Sequence, residues 1–184
     1  MPNLSSYFVS NFKPQFSDFS YNKCNSSNSK ICKLAILSKY IHLSKLNKKV
    51  SLHCNSSCNS TNIIYFIYCI KCSLIYIGES SRSVSLRIKE HISRINFLKK
   101  NKYNNNINEK LKQSKDCVYL YDHFRKEDHN IDNNFRFQVF TVDMISYITR
   151  METDMMYIFN TLHPYGFNTS SIKYTPYLAS YNPP

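Results

Sequence analysis

Glycine is almost missing from this chain, with two residues in 184. That leaves none to build a glycine-rich loop. Each glycine is expected where the backbone needs φ > 0 or where another group comes close. Acids are scarce as well: 12 Asp and Glu stand against 24 Lys and Arg, a net charge of +12. Such an excess favours a polyanionic partner, nucleic acid before a membrane surface. Long apolar runs are also lacking. The richest, Ile63 to Ile77, is interrupted by Lys71 and falls short of the roughly 18 residues that a membrane helix needs. Its β-branched and aromatic content reads as strands. The start, Met1-Pro2-Asn3-Leu4, has no basic stretch leading into an apolar core, as a signal peptide would. At 184 residues the chain has room for one domain and an extension, and none for a reverse transcriptase. Seven cysteines, an odd count at metal-like spacings, point to a reducing, intracellular compartment.

The texture along the chain changes sharply. Residues 1–23 are rich in Ser, Asn, Phe and Tyr without period and read as a loosely packed extension. Residues 24–62 form a polar linker holding Cys24, Cys32, Cys54 and Cys58. Ile63–Tyr68 and Leu74–Ile77 are strand candidates, and the short link between them predicts an antiparallel hairpin. Ser83 is placed to cap a helix from Val84 to about Lys100, with Ile88, Ile92, Ile95 and Leu98 on its apolar face. Lys99 to Asn108 reads as a loop. A second helix is expected over Cys117–Lys126, a strand over Phe135–Phe140, and a long helix over Met144–Leu162 ended by His163-Pro164. Residues 171–184 read as a flexible tail. The sum is an α+β domain, a small antiparallel three-stranded sheet flanked by helices.

Several polar residues stand in an order that suits phosphodiester hydrolysis. Tyr76 follows Tyr65 by eleven positions and opens Tyr76-Ile77-Gly78. Arg87 and His91 come next at i and i+4, on one face of a helix. An arginine fork there can grip a non-bridging phosphate oxygen. Glu152, one of two acids in the last helix beside Asp154, can hold Mg²⁺ while water and phosphate fill the other positions. Asn168 closes Pro164-Tyr165-Gly166-Phe167-Asn168. Taken singly, each residue has a plainer role: tyrosine as strand packing, Arg87 and His91 as a solvated helix face.

Jointly, Tyr65, Tyr76, Gly78, Arg87, His91, Glu152 and Asn168 resemble the motif set of the GIY-YIG nucleases. Gly78-Glu79-Ser80-Ser81-Arg82-Ser83, Glu90-His91 and Asn62-Ile63-Ile64-Tyr65 look most like the endonuclease domain of Penelope-like retroelements. The resemblance covers roughly residues 24–170, with the nuclease-like domain at 63–170. One departure is that Ile63-Ile64-Tyr65 carries no glycine in the first motif. The resemblance implies an endonuclease that nicks one DNA strand with Mg²⁺ or Mn²⁺. It also implies a nuclear site of action and a reverse transcriptase as partner in the parent element. A zinc-stabilised nucleic-acid-binding module without catalysis is the alternative.

Cys69 and Cys72 form a C-x2-C knuckle able to offer two thiolates, and His123 and His129 follow as H-x5-H. The plainer reading makes the cysteines core residues and the histidines surface groups. The resemblance implies a structural Zn²⁺ on these four, pinning the hairpin tip to the middle of the domain. The irregular spacings of Cys24, Cys32, Cys54 and Cys58 leave a second metal open, and Cys117 reads as a buried lone thiol. Residues 82–115 hold ten Lys and Arg against two acids, a local net of +8. Arg82, Lys89, Arg94, Lys99, Lys100 and Lys102 are the candidate DNA contacts, giving salt-dependent affinity with little sequence preference.

Overall fold

The computed structural model describes residues 21–22, 24, 29–38, 40–43, 48–51, 56–101, 115–141, 146 and 148–169, with the backbone alone at 41–43, 48–51 and 141. Lys102, Cys54 and the segments 1–20 and 171–184 lie outside the described residues. In chain order the elements are α1 (Lys30–Leu34), β1 (Tyr40–Leu43), β2 (Lys48–Ser51), β3 (Ile63–Cys69), β4 (Leu74–Ser80) and α2 (Val84–Lys100). A 3-10 turn, Lys115–Cys117, leads into α3 (Val118–Phe124), followed by α4 (Ile131–Asn134), β5 (Phe135–Thr141) and α5 (Ile148–Ile158).

β3 is the middle strand of an antiparallel three-stranded sheet in the order β4-β3-β5, and β1 and β2 pair separately. The expected α+β class and its small antiparallel sheet are present. Strand residues alternate in direction. Ile63, Tyr65, Ile67 and Cys69 therefore face one core with α1, α2 and α3, while Ile64 and Phe66 face another with Met155 and Phe159 at α5. Both faces of β3 are covered, so its sequence is apolar throughout instead of alternating.

Helix α2 begins where Ser83 predicts: its hydroxyl accepts from Leu86 N–H. Ser60 and Cys58 carbonyls take the N–H groups of Val84 and Ser85 at 3.0 and 2.9 Å. The buried stripe is Val84, Ile88, His91, Ile95 and Leu98. His91 thus holds a core position next to the half-buried Ile92. The second helix is shorter than expected, its first turn being 3-10. α5 ends at Ile158, not at His163-Pro164. Asn160 takes φ 49°, and Thr161 N–H reaches back to the Met156 carbonyl at 2.9 Å, the six-to-one bond that stops a helix at a left-handed residue.

The described residues of 24–62, together with Tyr21 just before them, contribute to the core. Tyr21, Ile31, Cys32, Leu34 and Cys58 share the core of Tyr65 and Tyr76, and Ile36 N–H donates to the Phe137 carbonyl at 2.8 Å. Ile31 and Leu34 are apolar enough to be drawn in; the surrounding Ser, Asn and Lys concealed them. No helix among the described residues is long and apolar enough to cross a membrane.

Candidate active site and metal centres

The central polar group is the hydroxyl of Tyr65, fully buried on β3. Arg87 Nε donates to it at 2.8 Å, and His91 Nε2 lies 2.8 Å away on its other side. Because the arginine can only donate, the hydroxyl proton points to His91 Nε2. The imidazole therefore accepts there and carries its own proton on Nδ1, which donates to the Tyr121 hydroxyl at 3.0 Å. Burial, with the Arg87 cation nearby, pushes His91 well below the ordinary histidine range, so it is neutral. The buried Cys117 thiol, one helical turn before Tyr121, donates to the Tyr76 hydroxyl at 3.3 Å. Arg87, Tyr65, His91 and Tyr121 thus form one hydrogen-bonded chain, with the Cys117–Tyr76 pair in the same core. The rings of Tyr65 and Tyr76 lie 6.1 Å apart.

Burial pushes both tyrosine hydroxyls well above their ordinary range, and the Arg87 cation offsets only part of this at Tyr65. The charge of Glu152 raises both further. Glu152 is buried on α5, so its carboxylate is felt at the two hydroxyls although α5 covers the other face of the sheet. The structure therefore brings Tyr65, Tyr76, Arg87 and His91 together by contact, while Glu152 bears on the two tyrosines through its charge alone. Asn168 is engaged differently. Its Nδ2 donates to the Ile77 carbonyl at 2.7 Å and its Oδ1 accepts the Ile77 N–H at 3.0 Å. It holds the turn after α5 against β4 and positions the strand that bears Tyr76.

Neither glycine adopts positive φ. Both are required by close approach within the protein. A Cβ on Gly166 would overlap the Thr161 backbone. A Cβ on Gly78 would stand 2.5 Å from Tyr65 Oη and 2.8 Å from Tyr76 Cε1. Gly78→Ala lowers unfolded-chain entropy, a gain of about 0.4–1 kcal/mol. Overpacking a tight core costs about 1–3 kcal/mol and wins, since the Tyr65 hydroxyl is held by two partners. The variant is expected to melt earlier than the parent and to lose on the order of 10²-fold in any activity that uses Tyr65, the usual cost of about 1 Å of misplacement. An unchanged melting curve and turnover would exclude this packing role.

The candidate DNA contacts divide. Arg82 is exposed and pairs with Glu90. Lys89 and Lys100 are exposed on α2, eleven residues and hence about three turns apart on one side. Arg94 lies over the Phe97 ring at 5.8 Å. Lys99 turns inward, donating to the His129 carbonyl, with burial lowering its pKa. It anchors the domain and leaves the surface to its neighbours.

Cys69, Cys72, His123 and His129 bring one donor atom each to within 4.8 Å of one another. Cys72 Sγ is 3.2 Å from His129 Nε2. His129 Nδ1 meets Asp128 Oδ1 at 2.7 Å, the carboxylate support typical of a metal-bound imidazole. His123 Nε2 is buried without a hydrogen-bond partner, a costly state that a metal ion would relieve. Burial pushes the Cys69 thiol up to about 11 and His123 down to about 4. A cation there would reverse the first effect and suit the second. The four donors can bind a metal such as zinc. A second group, Cys24, Cys32 and Cys58, converges in the same way.

No family model matches the chain, and no curated protein or solved structure matches it either.

Sequence reasoning missed two members of the site. Cys117 is the buried free thiol expected, but its hydrogen bond to Tyr76 was not foreseen, and Tyr121 had no assigned role. Their i, i+4 spacing was the available signal, since it puts both on one helical face.

Proposed function

We propose that the chain is a metal-dependent DNA endonuclease that hydrolyses single phosphodiester bonds, of GIY-YIG type and retroelement origin. The observation that carries this is the Tyr65 hydroxyl, buried and held 2.8 Å from both the Arg87 cation and neutral His91. Arg87 remains 20 % exposed, and its outer edge makes only a long 3.4 Å contact to Glu90. A phosphate oxygen can displace that contact. Tyr65 and His91 fix the guanidinium before substrate arrives, which is what preorganised charge stabilisation requires. Glu152 would hold Mg²⁺ or Mn²⁺, an ion that neutralises charge developing on the phosphate. Arg82, Lys89 and Lys100 supply phosphate affinity, and Zn²⁺ on Cys69, Cys72, His123 and His129 pins the hairpin. Joined to a reverse transcriptase, the nick would provide a 3′ end in the nucleus.

Supercoiled plasmid incubated with the protein and Mg²⁺ or Mn²⁺ should become open circles, and chelator should stop this. One observation favours a binding module instead: both tyrosine hydroxyls are buried and hard to ionise. Retarded but intact plasmid at every metal concentration would select that reading.

Arg87→Ala is expected to slow single-turnover nicking about 10²–10³-fold, the usual cost of losing one transition-state donor. DNA affinity should change little, because the exposed lysines remain. Collapse of binding with an intact rate would make Arg87 a ground-state phosphate contact only.

A further inference from the structure

Cys24, Cys32 and Cys58 come from three separate stretches of chain and meet in one place. Cys32 Sγ lies 2.9 Å from Cys58 Sγ and 3.2 Å from Cys24 Sγ, and none of the three is in a disulfide. Cys32 and Cys58 are buried and Cys24 is half-buried. The Tyr21 hydroxyl stands 3.0 Å from Cys58 Sγ and 3.9 Å from Cys32 Sγ. Small apolar packing does not require three thiols and a phenol at one point. Protonated sulfur is a weak donor and a weak acceptor, so it gains little from such a cluster. Thiolates around a cation gain much more.

We propose that Cys24, Cys32 and Cys58 bind a second zinc ion, distinct from the one at the hairpin tip. Zn–S bonds of about 2.3 Å in a tetrahedron separate the sulfurs by about 3.8 Å. The thiols need to spread apart by less than about 1 Å to reach that arrangement. Binding exchanges thiol protons for the ion, and no electron is transferred. Tyr21 donates its hydroxyl proton to the Cys58 sulfur, the outer hydrogen bond that orients a metal-bound thiolate. Among the described residues its donors are all soft sulfurs, which separates this site from the mixed sulfur and nitrogen set at Cys69, Cys72, His123 and His129.

The position gives this ion a job. The Cys58 carbonyl accepts from Ser85 N–H at 2.9 Å, at the first turn of the helix that bears Arg87 and His91. Cys32 belongs to α1, and the chain leaving α1 donates from Ile36 N–H to Phe137 of β5. An ion at the three thiols joins the N-terminal segment, the sheet and the start of α2. It therefore sets where the Arg87 helix begins.

The full chain, purified without added zinc, should carry two zinc ions by plasma mass spectrometry. Cys32→Ser and Cys58→Ser should each remove one and leave the other, whereas Cys72→Ser should remove the hairpin ion alone. In the cobalt-substituted protein the thiolate charge-transfer absorption counts sulfurs, three at this site and two at the hairpin. It should fall by about three-fifths in Cys32→Ser and two-fifths in Cys72→Ser. Cadmium NMR on the parent protein tests the same point without a variant, through two resonances of different sulfur content. One zinc per parent chain with Cys24, Cys32 and Cys58 open to a thiol reagent would overturn the proposal. So would a single cadmium resonance, or a Cys32–Cys58 disulfide in mapped peptides. A Cys72→Ser protein that keeps both ions would instead count against the hairpin site.

Discussion

Glu152→Ala is expected to end DNA nicking while the fold stays intact. Glu152 is the buried carboxylate whose charge reaches both Tyr65 and Tyr76. Asp154 cannot replace it: two positions along a helix turn the side chain by about 200°. On the proposed reading, losing the carboxylate that holds the metal should cost more than about 10³-fold in rate, above the cost of one hydrogen-bond donor. Alanine is the best helix former, which offsets part of what the lost side chain contributed. The melting temperature should therefore stay close to the parent's. Single-turnover nicking and a thermal melt of the same preparation check both halves. Parental nicking in the variant would remove Glu152 from the site.

Cys72→Ser should produce the largest loss of stability in the molecule. The turn between β3 and β4 is held to the rest of the domain by the four-donor cluster, the exposed Lys71–Asp128 pair at 2.8 Å and the bond from Ile70 N–H to the Asn134 carbonyl at 3.0 Å. Structural zinc binding is worth about 10–16 kcal/mol in small zinc-bound peptides. A whole domain is stable by about 5–15 kcal/mol, so the ion decides whether the hairpin tip stays docked. Serine loses the thiolate, and His123 Nε2 then stays buried without a partner. The variant should bind one zinc fewer and melt far below the parent, and chelator, which strips every ion, should bring the parent down at least as far. A variant that keeps its zinc and its melting temperature would return the four residues to core and surface roles.

The sheet and α2 were legible because local signals agreed. Ile63–Cys69 and Leu74–Ser80 carry β-branched and aromatic residues on both sides of a four-residue turn, and Ser83 marks the first turn of α2. The end of α5 was not legible, because Asn160 stops it by taking φ 49°, a choice open to Asn but not dictated by it. α1 was missed because five residues in a polar background show no period. Within the site, the i, i+4 pair of Arg87 and His91 could be read from spacing. The burial of His91 could not, since a histidine on an apolar stripe looks like a break in it. The part of Asn168 was misplaced for a related reason: its amide satisfies the Ile77 backbone, and side-chain to main-chain pairings leave no trace in residue spacing.

The two flanks of the sheet have one further meaning. On the β4 side, Phe167 N–H bonds to the Ile75 carbonyl, and Asn168 occupies both backbone groups of Ile77. On the β5 side, Ala35 and Ile36 occupy Phe137. Between them lies Ile-Ile-Tyr-Phe-Ile-Tyr-Cys, seven uncharged residues without proline or glycine, the composition of segments that stack into fibrils. Open sheet margins next to such a strand would recruit other copies of the chain. The short caps at residues 35–36 and 167–168 act as gatekeepers, and solubility in a crowded cell depends on them as much as on the +12 charge.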